Sequence, residues 1–167
     1  MRRLLLMRHA KSDWSADYST DHERPLNKRG RKAARTMGQF LAQFAAPDLI
    51  LSSPANRARQ TVELACESGD LSCPTRIIEE FYEGSINDIL RHIRRVEDQH
   101  ECLLIAGHEP TWSDLAGRLI GMANVRMVTA AVACIQIEVE SWQGVAPAGG
   151  QLCWLVTPRA LQSLGFV

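Results

Sequence analysis

The chain has 167 residues, and its 19 lysines and arginines balance 19 aspartates and glutamates. That length suits one domain with a sizeable core, and 46% hydrophobic against 23% charged residues is the balance of a soluble globular chain rather than a disordered one. A net charge of zero argues against a nucleic-acid coat or a polybasic membrane binder, and no apolar run approaches the ~20 residues of a bilayer span.

The elements are expected in the following order. Met1-Arg2-Arg3 mimics the start of a signal peptide, but the apolar run Leu4 to Met7 stops at Arg8-His9. An h-region needs about 7 apolar residues or more, so Arg3 to Met7 reads as a short buried strand. Residues 10–27 are polar and read as a long loop. Over 28–45, Ala33, Ala34, Met37, Phe40, Leu41 and Phe44 keep one helical face. Asp48 to Leu51 reads as a second strand. Ser53-Pro54 is expected to open a helix, with Ser as N-cap and Ala58, Val62 and Ala65 turned inward. Thr75 to Ile78 is a weaker strand. Ser85 and Asp88 form a capping pair, followed by Ile86, Ile89, Leu90, Ile93 and Val96 on one helical face. Cys102 to Ala106 is a third apolar strand ending in Gly107-His108, and Pro110 opens a helix bearing Trp112, Leu115, Ala116, Leu119 and Ile120. Ile135, Ile137 and Val139 alternate with Gln136, Glu138 and Glu140, the pattern of a half-exposed strand. Gly149-Gly150 leads into Gln151 to Val156 as its hairpin partner.

Continuous apolar strands alternating with helices imply an α/β three-layer sandwich. Its central sheet is expected to be mostly parallel, with helices on both faces and an antiparallel edge strand, all in a single domain over residues 1–167. Cys66, Cys73, Cys102, Cys134 and Cys153 are odd in number and contain no C-x-x-C, so neither a disulfide framework nor a zinc site fits. Cys102, Cys134 and Cys153 stand in apolar runs and read as buried free thiols, in a reducing, cytoplasmic setting. His22, His92 and His100 read as surface residues, and Trp142 and Trp154 as packing residues.

Sheets of this kind bind ligands beyond the carboxyl ends of their strands. There the sequence places Arg8-His9, then Ser52-Ser53 with Arg57 in the following helix, then Gly107-His108. The set is cationic with no matching acids, which suits anion handling. Guanidinium forks match phosphate oxygens, and helix N-termini add backbone donors. Imidazole attacks phosphorus near neutral pH without a separate activating base. Nucleotide-loop and serine-hydrolase motifs are absent from the sequence.

Leu-Met-Arg-His-Ala (6–10) resembles the R-H-G signature of the histidine phosphatase superfamily, whose fold is that of phosphoglycerate mutase. Arg24-Pro-Leu-Asn-Lys-Arg-Gly30 resembles its R-P-L-T-x-x-G segment. Ser52-Ser53-Pro54-Ala-Asn-Arg57-Ala-Arg-Gln-Thr61 resembles S-S-P-x-x-R-A-x-Q-T, and Gly107-His108 the second-histidine G-H. The four segments come in the family's order. The short length, Ala10 in place of Gly, and Phe81-Tyr82-Glu83 look most like the small SixA-type phosphohistidine phosphatases. The resemblance implies that His9 is the nucleophile and that Arg8, Arg57 and His108 complete a phosphate pocket, with no metal and no cofactor. Many members of the superfamily protonate the leaving oxygen with a carboxylic acid after the third strand, for which Glu83 is the best positional match and Glu80 the second. The alternative is that both are solvated acids and no carboxylate is the donor, since the imidazole of a phosphohistidine leaves more readily than an alkoxide. Lys11, Ser12 and Trp14 follow the nucleophile and are expected to shape the substrate entrance, or else to form an ordinary exposed loop.

The expected activity is hydrolysis of phosphohistidine on a signalling protein through a phosphohistidine enzyme intermediate. Alternatives are a small-molecule phosphomonoesterase of the same mechanism or a non-enzymatic phospho-ligand module, and a mutase ranks low. Expected partners are a phosphate-bearing substrate, which includes a phosphohistidine protein domain, but neither nucleic acid nor membrane. The protein is expected to be a monomer or weak dimer. The six Lys and Arg residues between Arg24 and Arg35 read as the solvated face of a helix plus a loop near the phosphate.

Overall fold

The computed structural model describes residues 1–166. Strand β1 (Arg2–Arg8) leads through a long polar loop, holding a 3-10 turn at Asp21–Glu23, into helix α1 (Lys28–Phe44). Next come β2 (Leu49–Ser52), α2 (Asn56–Gly69), β3 (Thr75–Ile77), the one-turn α3 (Glu80–Glu83) and α4 (Ile86–Ile93). The chain closes with β4 (Cys102–Gly107), α5 (Thr111–Leu119), β5 (Val132–Ile137), β6 (Gly150–Val156) and α6 (Pro158–Ser163).

The six strands form one mixed sheet in the order β3-β2-β4-β1-β5-β6. β1, β2, β3 and β4 pair in parallel. β5 pairs antiparallel with β1, and β6 antiparallel with β5, which supplies the expected antiparallel pairing at that edge. β1 explains why its sequence shows no alternation. Leu4 and Leu6 pack into the core beneath α3, α4 and α5, while Leu5 and Met7 pack beneath α1, α2 and α6. A strand covered on both faces has no polar side to show.

Most expected elements are present, and the departures have physical causes. β5 is nearly all buried, because it lies between β1 and β6 with helices above and below. The half-exposed strand is instead β6, at the edge, and Cys153 on it is exposed. Ser53 does not cap α2, which begins at Asn56 behind Ala55; the Ser53 hydroxyl faces His108. Phe44 is 60% exposed, with its ring stacked on Phe40 at 5.0 Å. His100 is buried rather than superficial, its Nδ1 3.4 Å from Asp48 and its carbonyl accepting from Arg2 and the Trp142 indole. His92 is half-buried against Phe81 and Glu80. The capping box at Ser85 and Asp88 is formed as the sequence implies. No described helix is long and apolar enough to cross a membrane.

Candidate active site

The site lies at the carboxyl ends of the parallel strands. β1 and β4 are neighbours, and their register sets Arg8 opposite Gly107. The next residue on each strand is a histidine, so His9 and His108 emerge side by side, 5.1 Å between ring centres. The His9 amide donates to the Gly107 carbonyl at 3.0 Å and its carbonyl accepts from Ala130. Gly107 is required here, because a Cβ would collide with the Trp112 indole beneath it. The adjoining cleft has a volume of about 220 Å³, and its lining includes Arg8, His9, Arg57, His108, Lys11, Ser12 and Trp14.

His9 is buried, and Nδ1 lies 2.8 Å from the Ala10 carbonyl. A carbonyl only accepts, so Nδ1 carries the proton and Nε2 keeps its lone pair. Burial pushes the His9 pKa down to about 4, helped by the charges of Arg57, Arg8 and Arg24, so the ring is neutral at pH 7. Burial likewise brings His108 down to about 3, with His9 and Arg57 adding to the effect. His108 Nε2 shares a 2.7 Å hydrogen bond with Ser53.

The arginines are held from behind. Arg57 Nη2 pairs with Asp21 at 3.0 Å, and Nη1 donates to the Asp21 carbonyl at 2.7 Å. Arg24 binds the other Asp21 oxygen through Nε and Nη2, at 3.0 and 2.6 Å. It also donates to Ser12 and lies 3.7 Å over the Trp14 ring. Burial alone would raise the Asp21 carboxyl, but Arg24 and Arg57 outweigh it and hold the group below its ordinary value. Tyr82 donates to Asp21 at 3.1 Å and sets its ring edge-on to His108. Thr61 ties the loop to α2, accepting from the Ala10 amide at 2.9 Å and donating to the Arg57 carbonyl at 2.6 Å. Arg8 donates to the Met127 carbonyl at 2.8 Å.

Among the described residues, six buried side-chain polar atoms have no hydrogen-bond partner, and four belong to residues of this cleft: Arg8 Nε, Arg57 Nε, His108 Nδ1 and Glu109 Oε1. Three of the four belong to cationic or imidazole groups, which suits an anion. No cluster of three or more His, Cys, Asp or Glu is placed to hold a metal ion among the described residues.

The structure brings together Arg8, His9, Arg57, His108, Lys11, Ser12 and Trp14. It does not bring in Glu83, which is exposed at the end of α3 and is not among the residues lining the cleft. Glu80 is exposed too, 3.3 Å from His92. The acid-rich segment 79–83 forms one helical turn whose only buried residue is Phe81, so its carboxylates are turned to solvent. The carboxylate that does line the cleft is Glu109, directly after His108. Asp21, Arg24, Tyr82 and Thr129 are also absent from the sequence expectations as site residues. Arg24 and Tyr82 lie in segments that resemble the family's, but Asp21 sits in an unpatterned loop with no local signal.

Comparison with known proteins identifies the family. Residues 4–130 match the model of the histidine phosphatase superfamily, branch 1, a span holding Arg8, His9, Arg57 and His108. The chain is 32% identical to an uncharacterized chloroplast protein of Arabidopsis thaliana, covering 94% of this chain and 78% of that one. It is 41% identical to an uncharacterized Mycobacterium tuberculosis protein, covering 76% of each. A solved structure assigned as a phosphohistidine phosphatase SixA, from Nakamurella multipartitia, superposes with a TM-score of 0.83 at 28% identity, over 94% of this chain and 96% of that one. The chain therefore belongs to branch 1 of the histidine phosphatase superfamily and is a phosphatase of the SixA-like type.

Proposed function

We propose that this phosphatase removes phosphoryl groups from phosphohistidine on a protein. The observation that carries the reading is the cleft itself. At about 220 Å³, it falls below the roughly 300–1,000 Å³ of pockets that enclose a whole small molecule. It accommodates a phosphoryl group and the imidazole bearing it, leaving the rest of the substrate outside. The structural likeness to a protein assigned as a phosphohistidine phosphatase supports the same choice.

In the first step the His9 Nε2 lone pair attacks phosphorus and the bond from phosphorus to the substrate nitrogen breaks. The leaving nitrogen takes a proton. Arg8 and Arg57 face the charge that spreads over the equatorial phosphoryl oxygens. When Ser53 donates to His108 Nε2, the neutral ring carries its proton on Nδ1, which then hydrogen-bonds the same oxygens. In the second step water attacks phospho-His9, the bond from phosphorus to Nε2 breaks, and inorganic phosphate leaves. Glu109, the carboxylate that lines the cleft, relays protons between solvent, the leaving nitrogen and the attacking water. Lys11, Ser12 and Trp14 shape the entrance, with Trp14 held against Arg24.

The test compares kcat/KM for a phosphohistidine protein, phosphoimidazole, sugar phosphates and a phosphoserine peptide. The reading expects the phosphohistidine protein to be preferred at least tenfold. A preference for a sugar phosphate replaces it with the small-ester reading.

A further inference from the structure

One face of α1 carries charge that the catalytic scheme does not use. Lys28, Arg31, Lys32 and Arg35 are all exposed and recur at the spacing of a single helical stripe. With a rise of about 1.5 Å per residue, the stripe is roughly 10 Å long. Together with Thr36 and Gln39 it borders a shallow groove of about 450 Å³, larger than the catalytic cleft.

This arrangement works against the helix that bears it. Lys28 with Lys32 and Arg31 with Arg35 are like-charge i,i+4 pairs, each unfavourable by about 0.2–0.5 kcal/mol. The first turn holds no acidic residue, and its basic residues oppose the helix dipole. Neighbouring acids relieve little of this. Glu67 on α2 pairs with Arg35 at 3.2 Å, and Glu63 on α2 turns to Arg59 at 3.7 Å. Asp13 lies in the adjoining loop and binds Ser15. Among the described residues, Lys28, Arg31 and Lys32 have no ion pair.

The helix that bears the stripe begins beside the loop that carries Lys11. Asn27 donates its backbone N–H to the Lys11 carbonyl at 3.0 Å, and the Gly30 backbone packs so closely on Lys11 that a Cβ there would collide with it. Lys11 and Arg24 line the cleft, so the end of α1 where the stripe begins, at Lys28, stands beside the loop that supplies two of the cleft's cations.

We propose that the Lys28–Arg31–Lys32–Arg35 stripe is the docking surface for an acidic face on the phosphorylated protein, beside its phosphohistidine. This rests on the reading that the substrate is a protein. Complementary charge across such a contact steers encounter and fixes orientation, while chemistry stays with the cleft.

The test uses the full chain with K28E, R31E and K32E combined, all at exposed positions outside the cleft. Substrates are phosphoimidazole and two phosphohistidine proteins, one acidic around its histidine and one with those acids neutralised. The expected result is at least a tenfold rise in KM for the acidic phosphoprotein, with kcat and the phosphoimidazole rate unchanged. The wild-type preference for the acidic protein should also shrink as salt rises. Equal kcat/KM for wild type and variant on the acidic phosphoprotein overturns the docking surface and leaves the phosphoprotein reading intact. So does a variant that loses affinity for duplex DNA while keeping the phosphoprotein KM. A wild-type enzyme that turns over phosphoimidazole but neither phosphoprotein overturns the substrate reading itself.

Discussion

The imidazoles of His9 and His108 stand 5.1 Å apart because Arg8 and Gly107 are register partners on adjacent parallel strands. Residues about a hundred positions apart in sequence thereby line one cleft. A one-residue slip of β4 against β1 would turn the following side chain to the other face of the sheet.

His9→Ala is expected to abolish the phosphoenzyme and lower kcat at least a thousandfold, since no other nucleophile replaces Nε2. Incubation with a labelled phosphodonor should give an acid-labile phosphate in wild type only. Hydrolysis at wild-type rate in the variant would remove His9 from the mechanism. His108→Ala should cost about 10²–10³ in kcat, the usual loss of one preorganised donor, and should leave a detectable phosphoenzyme.

Glu109→Gln is expected to lower kcat/KM for an alkyl phosphate by about 10²-fold or more, and less for phosphohistidine, whose imidazole leaves more readily. Glu83→Gln should change neither, because Glu83 does not line the cleft. The opposite pattern would return the acid to the segment after β3.

The pH dependence follows from the depressed histidines. Phosphoenzyme formation should persist well below pH 6.5, because His9 stays neutral down to about pH 4. Stability should run the other way. The folded pKa values of His9 and His108, about 4 and 3, lie below the unfolded value of 6.5. The unfolded chain therefore binds more protons once the pH falls below 6.5, and the fold loses stability progressively down to about pH 3. Thermal melts between pH 7 and pH 4 should show Tm falling, and less steeply when both histidines are replaced by Gln.

Asp21→Asn should raise KM about tenfold with a smaller effect on kcat, since the carboxylate positions Arg24 and Arg57 without lining the cleft itself. Asp21→Glu should restore part of the loss. If kcat collapses while KM holds, Asp21 takes part in the chemistry itself.

Gly107→Ala forces a methyl group into the Trp112 indole. It should cost about 1–3 kcal/mol, read as a Tm lowered by several degrees for a chain of this size.

The sequence by itself determined the alternation of strands and helices, because a doubly covered strand such as Leu4 to Met7 must be apolar throughout, and amphipathic spacing marks α1 and α4. It also determined the residues at the strand ends, since Arg8-His9, Arg57 and Gly107-His108 belong to short local segments. It misjudged β5, whose polar neighbours at 138 and 140 lie beyond the strand. Only the tertiary structure decided which carboxylates meet the cleft. Glu83 lies in a segment with an acidic signal yet turns outward, whereas Glu109 and Asp21 carry no such signal. Asp21 comes between Arg24 and Arg57 because the loop bearing it is bound to α2, and such a contact has no periodicity to read. Periodicity reports which side of an element is buried; long-range loop contacts between charged groups depend on how the elements are stacked.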